Sequence, residues 1–216
     1  MEREAFLARV RSSVGRAVLP EVPLDDPGVL VPDLPDVDLV ERFAEAVGRV
    51  GGIVHHGDAT VVAVDVAREH GASTFLSWDD DQIPAPGVVA VLEAAGLTRV
   101  DSAVASESRL EHQLGYIDVT LGVSGAFAGF AESGSIVVAS GPGRPRMASL
   151  IPTVHVAVLP KTDIHRSLAH WAADNSSFLA SHTNVVFITG VSRTGDIEMK
   201  LNTGVHGPKH VHIVLV

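Results

Sequence analysis

Val185-Val186-Phe187-Ile188-Thr189-Gly190-Val191-Ser192-Arg193-Thr194-Gly195-Asp196-Ile197-Glu198 is the stretch that decides the fold. Its four leading apolar residues predict a buried strand, and Gly190 interrupts it. Ser192, Arg193 and Thr194 then fill a turn closed by Gly195, and the polar run beyond predicts a short helix over Asp196–Asn202. A strand, a glycine turn and a helix start are where an α/β protein presents free backbone N–H groups to anions.

The same alternation extends outward. Short apolar strands are predicted near 53–54, 74–78, 118–123, 135–139, 155–159, 184–189 and 210–215, with helices between them. The clearest helices are 38–50, opened by Asp38 with Glu41 three residues on, then 87–95, and 163–174 behind Asp163. Residues 59–70 carry valines that suit a strand and a length that suits a helix. This pattern predicts a mostly parallel sheet covered on both faces. Ahead of it, Phe6, Leu7, Val10, Val14 and Val18 predict an amphipathic helix, and five prolines within 19–37 predict an extended strap. The expected division is therefore 1–37 and 38–216.

Composition removes several function classes. The 216 residues carry a net charge of −10, which argues against a nucleic-acid partner. No apolar run approaches the ~20 residues of a membrane span. The charged start Met1-Glu2-Arg3-Glu4 lacks a secretory pattern, so a cytoplasmic protein is expected. The chain has no cysteine, which excludes disulfides, a thiol nucleophile and a cysteine-ligated iron–sulfur cluster within it. No GxxxxGK[ST] phosphate loop occurs, and Ser140-Gly141-Pro142-Gly143-Arg144-Pro145-Arg146 fails as a dinucleotide fingerprint because Arg146 replaces the third glycine.

The candidate site residues each have two readings. Gly190, Ser192, Arg193, Thr194 and Gly195 form an anion site or a well-capped helix. Arg144 is a phosphate or carboxylate contact or an exposed turn residue. His206, in Gly204-Val205-His206-Gly207-Pro208, is a base or holds its turn. Glu132, in a region otherwise uncharged, is an acid, base or acyl acceptor or an exposed hairpin residue. Asp79-Asp80-Asp81 is a divalent-cation loop or a solvated one. His210 and His212 share a strand face but lack a third local ligand, so no metal site is assigned.

Asp118–Val123, Ala131-Glu132-Ser133-Gly134-Ser135-Ile136-Val137, Ser149–Val158, Thr189–Glu198 and Gly204–Pro208, in this order, resemble the LUD domain family. Within it the cysteine-free C type of its lactate-utilization members is the most similar. Clear resemblance covers about residues 115–216, with a departure at Gly195, where relatives usually carry alanine. The resemblance implies a three-layer α/β/α fold like that of ribose-5-phosphate isomerase and the CoA transferases, over a LUD-type domain at 38–216. It implies a non-redox part in oxidising L-lactate to pyruvate beside two partners, of the A and B types, that carry iron–sulfur clusters. No cofactor is expected in this chain, and the turn around Arg193 is expected to hold a small anionic ligand. Glu132 and His206 are assigned catalytic roles from chemistry placed on family motifs. The rival reading is a stand-alone enzyme acting on a small phosphorylated or CoA-like substrate, an argument from fold analogy.

Overall fold

Apolar runs of five or six residues with no polar alternation make strands that must be covered on both faces. Three of them form the centre of the molecule: β4 (Leu121–Gly125), β7 (Val154–Leu159) and β12 (His210–Leu215), buried except at His210. Beside them lie β1 (Ile53–His56), β2 (Thr74–Ser77) and the two-residue β3 (Thr98–Arg99). The order is β1-β12-β7-β4-β2-β3, and every neighbouring pair is parallel. The computed structural model describes residues 3–14, 38–101, 115–116, 118–182, 184–195 and 201–216. The strap at 19–37 and residues 196–200 lie outside them.

The chain divides into two units, Met1–Pro32 and Asp33–Val216. In the first, the predicted helix is formed as α1 (Arg3–Val14). All that follows concerns the second. There α2 (Leu39–Arg49) starts at Asp38, whose carboxylate accepts the Val40 N–H at 2.9 Å, and it buries Phe43, Ala46 and Val47. The ambiguous stretch 59–70 is helical: α3 (Ala59–Glu69) is capped by Asp58 on Thr60 N at 2.8 Å. Small side chains decide the matter, because Ala59, Ala63, Val66 and Ala67 let the helix lie close on the sheet. It packs with α4 (Val88–Ala94).

Paired residues of a parallel ladder share a face. The register thus places Ser77, Val123, Val156 and His212 in one row, and Gly122, His155 and Val211 in a row on the other face. The His212 face meets α3, whose C-terminal His70 tilts onto His210 with ring centroids 4.5 Å apart. The His155 face is covered by α2, by a 3-10 turn at Arg146–Ser149 and by a second sheet.

That second sheet corrects the expectation that the strands near 135–139 and 184–189 belong to the parallel one. Ser135–Ala139 is β6 and Val185–Thr189 is β9, and they pair antiparallel with each other. With β5 (Ala128–Phe130) and β8 (Ile164–His165) they give the order β8-β5-β6-β9. The connection from β5 to β6 is too short for a crossover, so the chain must turn back as a hairpin. Trp171 of α5 (Leu168–Asp174) and Phe178 of α6 (Ser176–Ser181) cover it, with Phe130 and Phe127 beneath. Helix α5 starts later than predicted, at the Ser167 cap, because 164–165 is drawn into β8. No helix among the described residues is long and apolar enough to cross a membrane.

The acidic run after β2 is consumed by structure. Asp79 pairs with Arg99 at 2.7 Å, and Asp80 accepts the N–H groups of Gly87 and Val89 at 2.6 and 3.0 Å, capping α4 from a distance. Asp80→Ala should therefore cost about 1–2 kcal/mol. Asp81→Ala, at an exposed position, should stay within about 0.5 kcal/mol. Thermal melts of the two variants check this, and equal shifts would refute the capping role.

Candidate functional site

Two motifs close on the end of α2, and each does so through a glycine in the left-handed region. Gly134 (φ +70°), in the β5–β6 turn, lies so near α2 that a Cβ there would sit 2.5 Å from Val47 N and 2.6 Å from the Ala46 carbonyl carbon. Gly190 (φ +72°), after β9, packs on Val50, where a Cβ would run into the Val50 carbonyl oxygen. Between the two motifs runs a row of hydroxyls: Ser133 Oγ to Ser135 Oγ at 2.7 Å, and Ser135 Oγ to Thr189 Oγ1 at 2.8 Å. The i,i+2 spacing of Ser133 and Ser135 was a readable signal for the first of these contacts; that Thr189 continues the row follows only from the pairing of β6 with β9.

Beyond Gly190 the chain is tied down by Ser192. Its N–H donates to the Pro208 carbonyl and its own carbonyl accepts from Gly204 N, both at 2.9 Å, while its Oγ accepts from the His206 N–H at 3.3 Å. The Arg193 guanidinium reaches back to Gly51, where a Cβ would lie 2.9 Å from Nη2. Glu132, Arg193 and His206 are all exposed. The amino ends of β7 and β12 thus gather Gly190, Ser192, Arg193, Thr194, Gly195 and His206, while Glu132 lies in the β5–β6 turn, where its N–H donates to the Arg166 carbonyl.

Two expectations change here. Arg193–Gly195 is a strand, β10, paired antiparallel with β11 (Leu201–Thr203), so the helix expected over Asp196–Asn202 is replaced at its far end by a ladder. Residues 196–200 lie outside the described residues. With both backbone groups of Ser192 already bonded and Arg193–Gly195 in the ladder, the described residues of this turn present no helix start, and an anion held by them would rely on Arg193 and side-chain hydroxyls. Arg144, the other candidate anion contact, lies beyond the carboxyl ends of β2 and β4, at the opposite end of the parallel sheet. Its Nη1 donates to Gln82 Oε1 at 3.0 Å.

The histidines form a separate feature. On one face His55 Nε2 and His212 Nδ1 are 2.9 Å apart, with His70 and His210 alongside. On the other, fully buried His155 bonds Ser124 Oγ through Nε2 at 2.9 Å. Burial pushes the His155 imidazole down to about 4, helped by His212. Burial likewise pushes His212 down to about 4, and its neighbours His55, His70 and His210 add to the shift. Both rings are neutral core groups at pH 7. No group of three or more His, Asp or Glu side chains among the described residues is arranged to hold a metal ion.

The LUD domain model matches residues 37–216, which contain all these site residues. Lactate utilization protein C of Exiguobacterium sp. is 32% identical, over 99% of this chain and 95% of its own length. Lactate utilization protein C of Halalkalibacterium halodurans is also 32% identical, over 71% of this chain and 67% of its own. A crystal structure of a DUF162 family protein from Deinococcus radiodurans superposes with a TM-score of 0.58 at 17% identity, covering 83% of this chain and 96% of that one. The structural likeness carries the fold, the sequence matches carry the kinship, and the chain belongs to the LUD domain family.

Proposed function

We propose that the protein is a cytoplasmic, non-redox component of a system that oxidises L-lactate to pyruvate, and that it holds a small anionic ligand at the end of α2. The observation that carries this reading is the match, along nearly the whole chain, to relatives named lactate utilization protein C. Oxidation of lactate to pyruvate releases two electrons and two protons. A chain with no cysteine holds no cysteine-ligated cluster to receive those electrons, so they pass to iron–sulfur partners of the A and B types. Arg193 supplies the charge for a carboxylate, Thr194 a hydroxyl, and Glu132 and His206 the groups able to move a proton.

The isolated chain should show no lactate oxidation with an artificial electron acceptor, and activity should appear when the iron–sulfur partners are added. Robust turnover by the isolated chain would overturn the proposal. Within the reconstituted system Arg193→Ala should weaken L-lactate or phosphate binding by about tenfold, about 1.4 kcal/mol, and leave the melting temperature nearly unchanged. A variant that loses stability while the parent binds neither anion would show that the turn only braces the fold.

A further inference from the structure

The two larger sheets end in four edge strands, and three of them are blunted. β1 carries His55 and His56, β3 is two residues long and holds Arg99, and β8 is two residues long between Asp163 and Arg166. Short length and charged or polar side chains are what keep an open edge from pairing with another chain. The fourth edge, β9, has neither. Its five residues are unbroken by proline or bulge, and no Asp, Glu, Lys or Arg occurs between Asp174 and Arg193.

Register decides which of its backbone groups are open. β6 and β9 pair from Ala139 with Val185 to Ser135 with Thr189, and one residue further on Ser140 N donates to the Asn184 carbonyl at 3.1 Å. Bonded pairs alternate along an antiparallel ladder, so Asn184, Val186 and Ile188 turn their backbone groups toward β6. Val185, Phe187 and Thr189 turn theirs outward, where no described residue bonds them. These three positions are symmetrical about Phe187. A second β9 laid antiparallel therefore meets them in the same register, with Phe187 opposite Phe187 and Val185 opposite Thr189. The Phe187 side chain is 39% exposed although its ring lies 6.2 Å from that of Phe130 and 6.4 Å from that of Trp171.

We propose that β9 is an interface between two copies of this chain, which pair edge to edge across a two-fold axis at Phe187. The three opposed pairs exchange about six hydrogen bonds, and the two Phe187 rings cover each other as a cross-strand aromatic pair. Self-complementarity is what a two-fold contact requires. The uncharged strand meets it without like-charge repulsion, although each chain carries a net charge of −10. Thr189 ends the hydroxyl row of the candidate site, so the row of each copy finishes beside Val185 of the other. The proposal stands whether or not that site binds an anion.

Light scattering from the full chain at about 100 μM should give the mass of two chains. Val185→Pro removes an outward N–H and no bond to β6, so it should give the mass of one chain with the parent's circular dichroism. Amide exchange in the parent needs no variant: Val185, Phe187 and Thr189 should exchange at least about tenfold more slowly at 100 μM than at about 1 μM, and Val186 and Ile188 should be protected at both. Because the chain has no cysteine, Phe187→Cys under mild oxidation should cross-link through that position alone, the two Cα atoms lying about 5.5 Å apart. Val61→Cys, on exposed α3, should not cross-link. A parent that is monomeric at 100 μM, a dimer that survives Val185→Pro, or a dimer that fails to cross-link through position 187 would overturn the proposal.

Discussion

Lowering the pH from 7 to about 4.5 should remove about 5 kcal/mol of folding stability through His155 and His212 alone. In the unfolded chain both titrate near 6.5; in the folded protein burial holds both at about 4. The unfolded state therefore binds protons first as the pH falls. The stability that the two neutral rings confer is complete above 6.5 and is lost progressively down to about 4. At pH 4.5 each ring is about two pH units below its unfolded value, or about 2.7 kcal/mol. His212 contributes somewhat less than His155, because it adjoins the partly exposed His55 and His70. Urea unfolding across this range measures the slope. Carboxylates add their own acid sensitivity, so the discriminating result is His155→Gln, which should remove about half of the histidine share. A variant with the parent's full pH dependence would show that burial of the imidazole is not the cause.

Gly190→Ala should be the most damaging small change at the candidate site. A non-glycine residue in the left-handed region costs about 1–2 kcal/mol, and the added methyl meets the Val50 carbonyl and side chain, an overpacking cost of about 1–3 kcal/mol. Together about 2–5 kcal/mol should be lost, lowering the melting temperature by roughly 5–20 °C for a chain of this size. The backbone must also swing away from α2, carrying Ser192 and Arg193 with it. Gly195→Ala is the control: nothing lies within 4 Å of a Cβ there and its φ is not positive. If both substitutions melt alike, the close approach of Gly190 to α2 is not what holds the site.

The parallel sheet was legible because its strands are apolar along their whole length. Val154–Leu159 reads as buried on both faces, and the helix behind Asp38 follows from that cap and the glycines that end it, whereas the valines of 59–70 leave strand and helix in competition and only the packing of Ala59, Ala63 and Ala67 decides for the helix. The second sheet was not legible. Ile136-Val137-Val138 and Val185-Val186-Phe187 have the same unbroken apolar look, and nothing local says that they pair with each other. The site was legible as motifs but not as geometry. Arg193 and His206 stood out as residues, yet the chain beyond Gly190 folds as a ladder because Pro208 and Gly204, more than ten residues on, take up the Ser192 backbone. Gly134 and Gly190 carry no sign that they share a helix. The spacing of His210 and His212 gave their common face but not that His55, more than 150 residues earlier in the chain, completes the contact.

The place of β12 in the sheet has a consequence for how the molecule is made. It lies second in order, between β1 and β7, so β1 has no strand to pair with until residues 210–215 have been synthesised. During translation Ile53–His56 must wait through more than 150 residues, an exposed edge beside a half-built sheet, which is the situation in which chains slow down and associate wrongly. The two histidines of β1, and the short span of four residues, keep that waiting edge from being a long apolar ribbon. Assembly of the central sheet is thus held back until β12 has emerged to join β1 to β7.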